Sequence, residues 1–144
     1  MSNEQSNAEF DKLLKDHMVA RKLSDLDVIP RKIFNGLKRI DELKAEEIQV
    51  NDQIAAVKLN AQGAAYAACA ERGGANNAQV RSIEEKTILA KDKTHQQLIN
   101  VLSKTVNERK ECEHYLYFAR KRMSAVIAQL DTINVLLQAQ LSRR

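Results

Sequence analysis

Residues 72–77, Arg72-Gly73-Gly74-Ala75-Asn76-Asn77, decide how this chain folds. Paired Gly and Asn tolerate the positive φ that ends one helix and lets the next begin. Nothing else in the 144 residues signals a turn so strongly. Approaching it, the sequence shrinks to Ala at 61, 64, 65, 67, 68 and 70, which lets two backbones draw close. Small residues beside a tight turn make a local hairpin nucleus of low contact order.

Upstream, from Arg31 to Glu71, apolar residues recur three and four apart, the signature of a coiled-coil seam. Ile33, Ile40, Ile54, Ala61 and Ala68 fall on one seam position, with Glu47 as its polar exception. Leu43, Val50, Val57 and Ala64 fall on the other. At ~1.5 Å per residue such a helix runs about 60 Å, so only a second long helix can cover it. Downstream, residues 78–141 contain no Gly or Pro, and Val80, Ile83, Thr87, Leu98, Val101, Thr105, Cys112, Tyr115, Ala119, Val126, Leu130, Ile133 and Leu137 continue a stripe. Thr105-Val106-Asn107-Glu108 has the form of a capping box, so the helix either runs through or restarts there.

The first 30 residues hold a short amphipathic helix, Ala8 to Lys22, with Phe10, Leu13, Leu14 and Met18 on one face. Pro30 is expected to close that segment and open the next helix. The chain thus divides into an N-terminal helix and linker (1–30) and a hairpin with an extended C-terminal helix (31–144). The fold class is all-α, a long antiparallel coiled-coil-like hairpin with a short N-terminal helix. A partner helix beginning at Arg31 covers the returning strand of the hairpin only to about residue 118. The stripe of Val126, Leu130, Ile133 and Leu137 is then left over: it must pack on the N-terminal helix, on a kinked-back neighbour or on another copy, and oligomerisation is the favoured expectation, with docking of another protein as the rival.

Composition agrees. Charged residues make up 29% and aromatics 4%, with one Pro and no Trp, a mixture suited to long helices and thin Ala/Leu/Ile/Val seams. Cys69 and Cys112 stand alone, and the polar N-terminus and lack of any long apolar run point to a soluble cytoplasmic protein. Histidines 17, 95 and 114 are scattered, and no nucleophile motif or phosphate loop occurs, so no enzyme and no cofactor is expected. Glu111-x-x-His114 has the spacing of a di-iron ligand pair, but its sole companion is Asp92-x-x-His95, and no metal site is expected.

The stretch Arg109 to Arg122 is the chemically informative one. Tyr115, Tyr117 and Phe118 lie among Arg109, Lys110, Arg120, Lys121 and Arg122. On a helix, Lys110, Tyr117, Lys121 and Ser124 share a face. Cations that follow phosphates, beside rings that stack on bases, suit sequence-tolerant single-strand binding. The plainer reading makes Tyr115 and Phe118 core fillers and the cations a solvated face. The net charge of +4 is concentrated in residues 119–144, with five basic side chains against Asp131.

Three parts of the chain correspond in layout to one family: Glu71-Arg72-Gly73-Gly74, then Lys86-Thr87-Ile88-Leu89-Ala90-Lys91-Asp92, then the apolar-basic C-terminal helix. Over roughly residues 40–140 the pattern resembles the small helical recombination-mediator proteins of tailed phages, the UvsY type. The resemblance implies a non-enzymatic DNA-recombination accessory protein that binds single-stranded DNA as a homo-oligomer. It also implies a recombinase or single-strand-binding protein as partner. The basic residues it nominates are Lys91, Lys93, Arg109, Lys110, Arg120, Lys121 and Arg122. A rival expectation is a coiled-coil adaptor or chaperone that docks a protein through its C-terminal helix.

Overall fold

The computed structural model describes residues 3–74 and 76–143; Ala75 of the turn and Arg144 of the terminal basic group lie outside them. The described residues form four helices and no strand: α1 (Asn3–Asp16), α2 (Val19–Glu71), α3 (Ala78–Lys91) and α4 (Lys93–Ser142). α2 and α4 pack against each other as a helical hairpin, the fold class read from the heptads. None of these helices is long and apolar enough to cross a membrane.

The turn forms as its residues dictate. Gly73 adopts φ +75°. Its N–H donates to Ala70 O (3.1 Å), and the Gly74 N–H donates to Cys69 O (2.8 Å). This pair of bonds is a Schellman closure, with glycine at the one position where a Cβ would be strained. Asn77 then caps α3, its Oδ1 accepting from Gln79 N (3.0 Å) and Val80 N (3.2 Å). One helix ends and the next begins with most of the exposed termini satisfied locally.

The chain divides into two compact units. In the unit Arg39–Glu111, the core comes almost wholly from α2: Ile40, Leu43, Val50, Ile54, Ala61, Ala65 and Cys69 are buried, joined by Thr105 of α4. In the unit Met1–Lys38 with Cys112–Arg144, the balance reverses. There Leu116, Ala119, Val126 and Ile133 of α4 are buried, with Ile29 of α2. Gly36 marks a close approach in this unit, since a Cβ on it would lie 2.8 Å from Leu116 Cδ2.

Several boundaries fall elsewhere than the sequence pattern suggested. α1 ends at Asp16, and the chain turns at Met18 (φ +50°), so Pro30 lies inside α2 and not at its start. Pro30 is exposed, and the bond it cannot donate to Leu26 is lost on the solvent side of the helix. Thr105 does not cap a restart. It is buried within α4, and its hydroxyl donates to Val101 O (3.0 Å). The break comes instead at Asp92, which leaves the helical conformation (φ −78°, ψ 108°) and accepts from His95 N (3.0 Å) as an N-cap.

The stripe also shifts. From His95 to Gln140 the less exposed residues of α4 alternate by three and four: 95, 98, 102, 105, 109, 112, 116, 119, 123, 126, 130, 133, 137 and 140, with Val106 as the one addition beside Thr105. Val101 and Tyr115 therefore lie outside the seam, beside Leu102 and Leu116, which occupy it. In α3, Val80, Ile83 and Thr87 face out while Arg81, Glu84, Glu85 and Ile88 are half-buried. On α2 the seam steps from Ala61 to Ala65, leaving Ala64 exposed, because a straight helix drifts against a strict seven-residue repeat.

Pro30→Ala restores a backbone bond in the middle of a long helix. It is expected to stabilise the protein by about 1–3 kcal/mol, part of the helix gain being offset by a freer unfolded chain. Thermal unfolding followed by circular dichroism checks this; a lower midpoint would mean the proline is required where it stands.

Candidate nucleic-acid interface

Within the unit formed by Met1–Lys38 and Cys112–Arg144, α4 has two distinct faces. Its seam residues Cys112, Leu116, Ala119 and Met123 point into the unit. Counting about 100° per residue, His114, Tyr117, Phe118 and Lys121 gather on the opposite side. Tyr117 and Phe118 are each 53% exposed. The rings form an edge-to-face chain, His114 to Phe118 at 4.9 Å and Phe118 to Tyr117 at 5.5 Å between centroids. Lys121 Nζ lies 4.6 Å from the Tyr117 centroid, close enough for a cation–π contact. Edge-to-face packing holds the rings in place while leaving their faces partly open to water.

The core-filler reading of Tyr115 and Phe118 is thereby corrected: both stand out from the seam, and Leu116 between them fills it. His114 and Phe118 belong to this face, although the basic pattern alone did not single them out. Counting the alternation of threes and fours back from Val126 through Met123, Ala119 and Leu116 would have found them.

The basic candidates fall into different circumstances. Arg120 and Lys121 are exposed on the aromatic segment. Arg122 donates to Asp25 of α2 (Nη2–Oδ2 3.0 Å). In the unit Arg39–Glu111, Lys91 and Lys93 are exposed on either side of the Asp92 break, and Lys110 is exposed on α4. Arg109 is a seam residue. Its Nε and Nη2 donate to the two carboxylate oxygens of Glu47, and the two side chains are only 22% and 17% exposed. Glu47, the polar exception on the α2 stripe, thus has its reason in the facing cation. Nearby, Arg39 donates to Glu108 (2.7 Å) and Glu42 (3.3 Å) and lies 3.5 Å from Glu46. The hydrogen bond to Glu108, then that to Glu42, raises its pKa further.

The stripe nominated as an outer surface is covered within the chain: Val126 and Ile133 are buried, and Leu130 and Leu137 are half-buried. The physical reason is the extra length of the first helix. Because α2 begins at Val19 and continues through Pro30, the N-terminal segment joins residues 112–144 in one unit. Glu111 is exposed, Asp92 caps α4, and His114 packs against Phe118. Among the described residues no three His, Cys, Asp or Glu side chains come together as a metal site needs. Compared with known families, with curated proteins and with solved structures, the chain matches none.

The Glu47–Arg109 pair gives a two-sided expectation. Glu47→Leu removes the carboxylate that faces the half-buried Arg109 guanidinium across the seam and should cost about 1–3 kcal/mol. Adding Arg109→Leu should recover most or all of that loss, because an apolar pair can replace a buried ion pair at little cost. Urea unfolding of the four proteins of the cycle measures the coupling. Additive losses would show that the two side chains do not depend on each other.

Proposed function

We propose that the chain is a non-enzymatic DNA-recombination accessory protein, cytoplasmic, that binds single-stranded DNA as an oligomer. The observation that carries this reading is the outward face of α4. Tyr117 and Phe118 are exposed opposite the seam, where the chain's own packing makes no use of them, with the Lys121 cation against the Tyr117 ring. Every base offers a π-face to such rings, so stacking is tolerant of sequence, and Arg120 and Lys121 supply charge for the phosphates. The basic excess of residues 119–144 favours a polyanion over a basic or neutral partner. The resemblance to UvsY-type mediators supplies the biological setting, with a recombinase or a single-strand-binding protein as a protein partner.

Of the nominated cations, Arg120 and Lys121 are the best placed, with Lys91, Lys93 and Lys110 as outlying phosphate contacts. Arg109 and Arg122 would each have to leave a carboxylate. A second reading, an adaptor or chaperone that docks a protein through its C-terminal helix, is favoured by Val135, Leu136 and Leu141, which are exposed near the end of α4.

Fluorescence anisotropy with a labelled single-stranded oligonucleotide distinguishes the two. Binding should weaken steeply with salt. Tyr117→Ala should cost about 1–3 kcal/mol, the worth of one stacked base. Lys121→Glu should weaken binding and flatten its salt dependence. Arg122→Glu is the wrong probe, because it would place a carboxylate against Asp25. No binding at low salt, or unchanged affinity in both variants, would remove the nucleic-acid reading in favour of the adaptor.

A further inference from the structure

Arg122 and Asp25 lie 97 residues apart in sequence, and their contact ties the start of α2 to the basic segment of α4 within one unit. Helical spacing puts Arg122 in a particular place. Counting about 100° per residue, Lys121 lies among His114, Tyr117 and Phe118, directly away from the seam. Arg120 falls on one flank of that face. Arg122 falls on the other, one turn beyond Phe118. From that flank its Nη2 donates to Asp25 Oδ2 at 3.0 Å. Among the described residues it is the one of the three consecutive cations 120–122 that meets a carboxylate.

The two partners are unequal. The Arg122 side chain is 56% exposed, whereas that of Asp25 is 21% exposed. A short carboxylate is therefore packed at the surface of α2, and a long guanidinium arm reaches over to it from open water. One turn before Asp25 stand two more cations, Arg21 and Lys22, and one turn after it the apolar Val28 and Ile29. The surroundings of the carboxylate are thus positive in sum, and a polyanion is drawn towards this flank and not repelled from it. An exposed ion pair is worth little, while a phosphate offers a guanidinium strong charge-assisted bonds. Phosphate and carboxylate compete for the same cation.

We infer that Asp25 withholds Arg122 from a single strand lying on α4, and so sets how tightly that strand is held. The inference rests on the strand-binding reading of the aromatic face. With the carboxylate present, Arg122 is neutralised and held towards α2, and Arg120 and Lys121 meet the phosphates. Without it, Arg122 is free to take the phosphate beside the base stacked on Phe118. The salt dependence of binding reports this directly, because each cation that neutralises a phosphate releases counterions, and a cation already paired with a carboxylate does not.

Fluorescence anisotropy of the full chain with labelled oligothymidylate, measured over a series of salt concentrations, tests this. Asp25→Asn should tighten binding at low salt by about two- to fivefold, the scale of one surface ion pair. It should also steepen the slope of log affinity against log salt by about 0.7, which is one more phosphate. Asp25→Ser, which removes the same charge, should act alike. Arg122→Gln alone should leave the slope at the wild-type value, and Asp25→Asn combined with Arg122→Gln should return it there. Asp131→Asn removes an exposed carboxylate from the same part of α4 and should not steepen the slope. Helical circular dichroism should be the same in every variant. A slope unmoved by Asp25→Asn, steepened equally by Asp131→Asn, or lowered by Arg122→Gln in the wild type overturns the inference, while wild-type strand binding stands. Absence of wild-type binding at low salt overturns the strand-binding reading itself, and this inference with it.

Discussion

Two facing helices bury only one stripe of each, and this limit governs everything else in the molecule. A globular domain of this size surrounds each helix with neighbours. Here the seam is one residue wide at each step, and the core of the unit Arg39–Glu111 consists of seven α2 side chains and Thr105. Such a seam specifies register poorly when it is wholly aliphatic, because a shift by one heptad costs little. Two features resist the shift: the Glu47–Arg109 ion pair in one unit, and the Gly36–Leu116 fit in the other. Each joins a residue to one opposite number, and sliding the helices breaks the ion pair across the seam or creates a clash.

The same limit explains the surface. Side chains that the seam has no room for stand out in water, and they are not scattered at random. On α4 they gather as His114, Tyr117 and Phe118 with a cation against one ring; on α2 Leu59 and Tyr66 stand out on either side of Gly63, with the Arg81 guanidinium over the Tyr66 ring. Aromatic rings beside ammonium and guanidinium groups suit a flexible polyanion.

The hairpin was legible because its turn chemistry and its heptads are local patterns that point to the same answer. Gly73, Gly74 and Asn77 behave as their residue types require, and the α2 seam from Ile40 to Ala61 follows its periodicity residue by residue. The α4 face was harder to read because apolar residues occur on both sides of the stripe. Tyr115 and Leu116 are neighbouring large side chains that could each fill a seam, and only the alternation beyond them shows which one is buried. The coverage of Val126 and Ile133 was hidden by Pro30. A proline in a helix interior is costly enough to be read as a boundary, yet on the exposed side of a long helix the packing on the opposite face outweighs the lost bond. The break at Asp92 was missed for a related reason: a lone N-capping aspartate carries less signal than the Thr105 capping box, which tertiary packing overrode.

Register is therefore the claim on which the account rests, and paired cysteines measure it directly. In a chain with Cys69 and Cys112 replaced by alanine, Gly36→Cys combined with Leu116→Cys should close an intramolecular disulfide under mild oxidation, since a Cβ at 36 lies 3.3 Å from Leu116 Cγ. Gly36→Cys combined with Tyr115→Cys, one position off the seam, should stay reduced. Efficient closure in the second pair and not the first would contradict the helix facing described here.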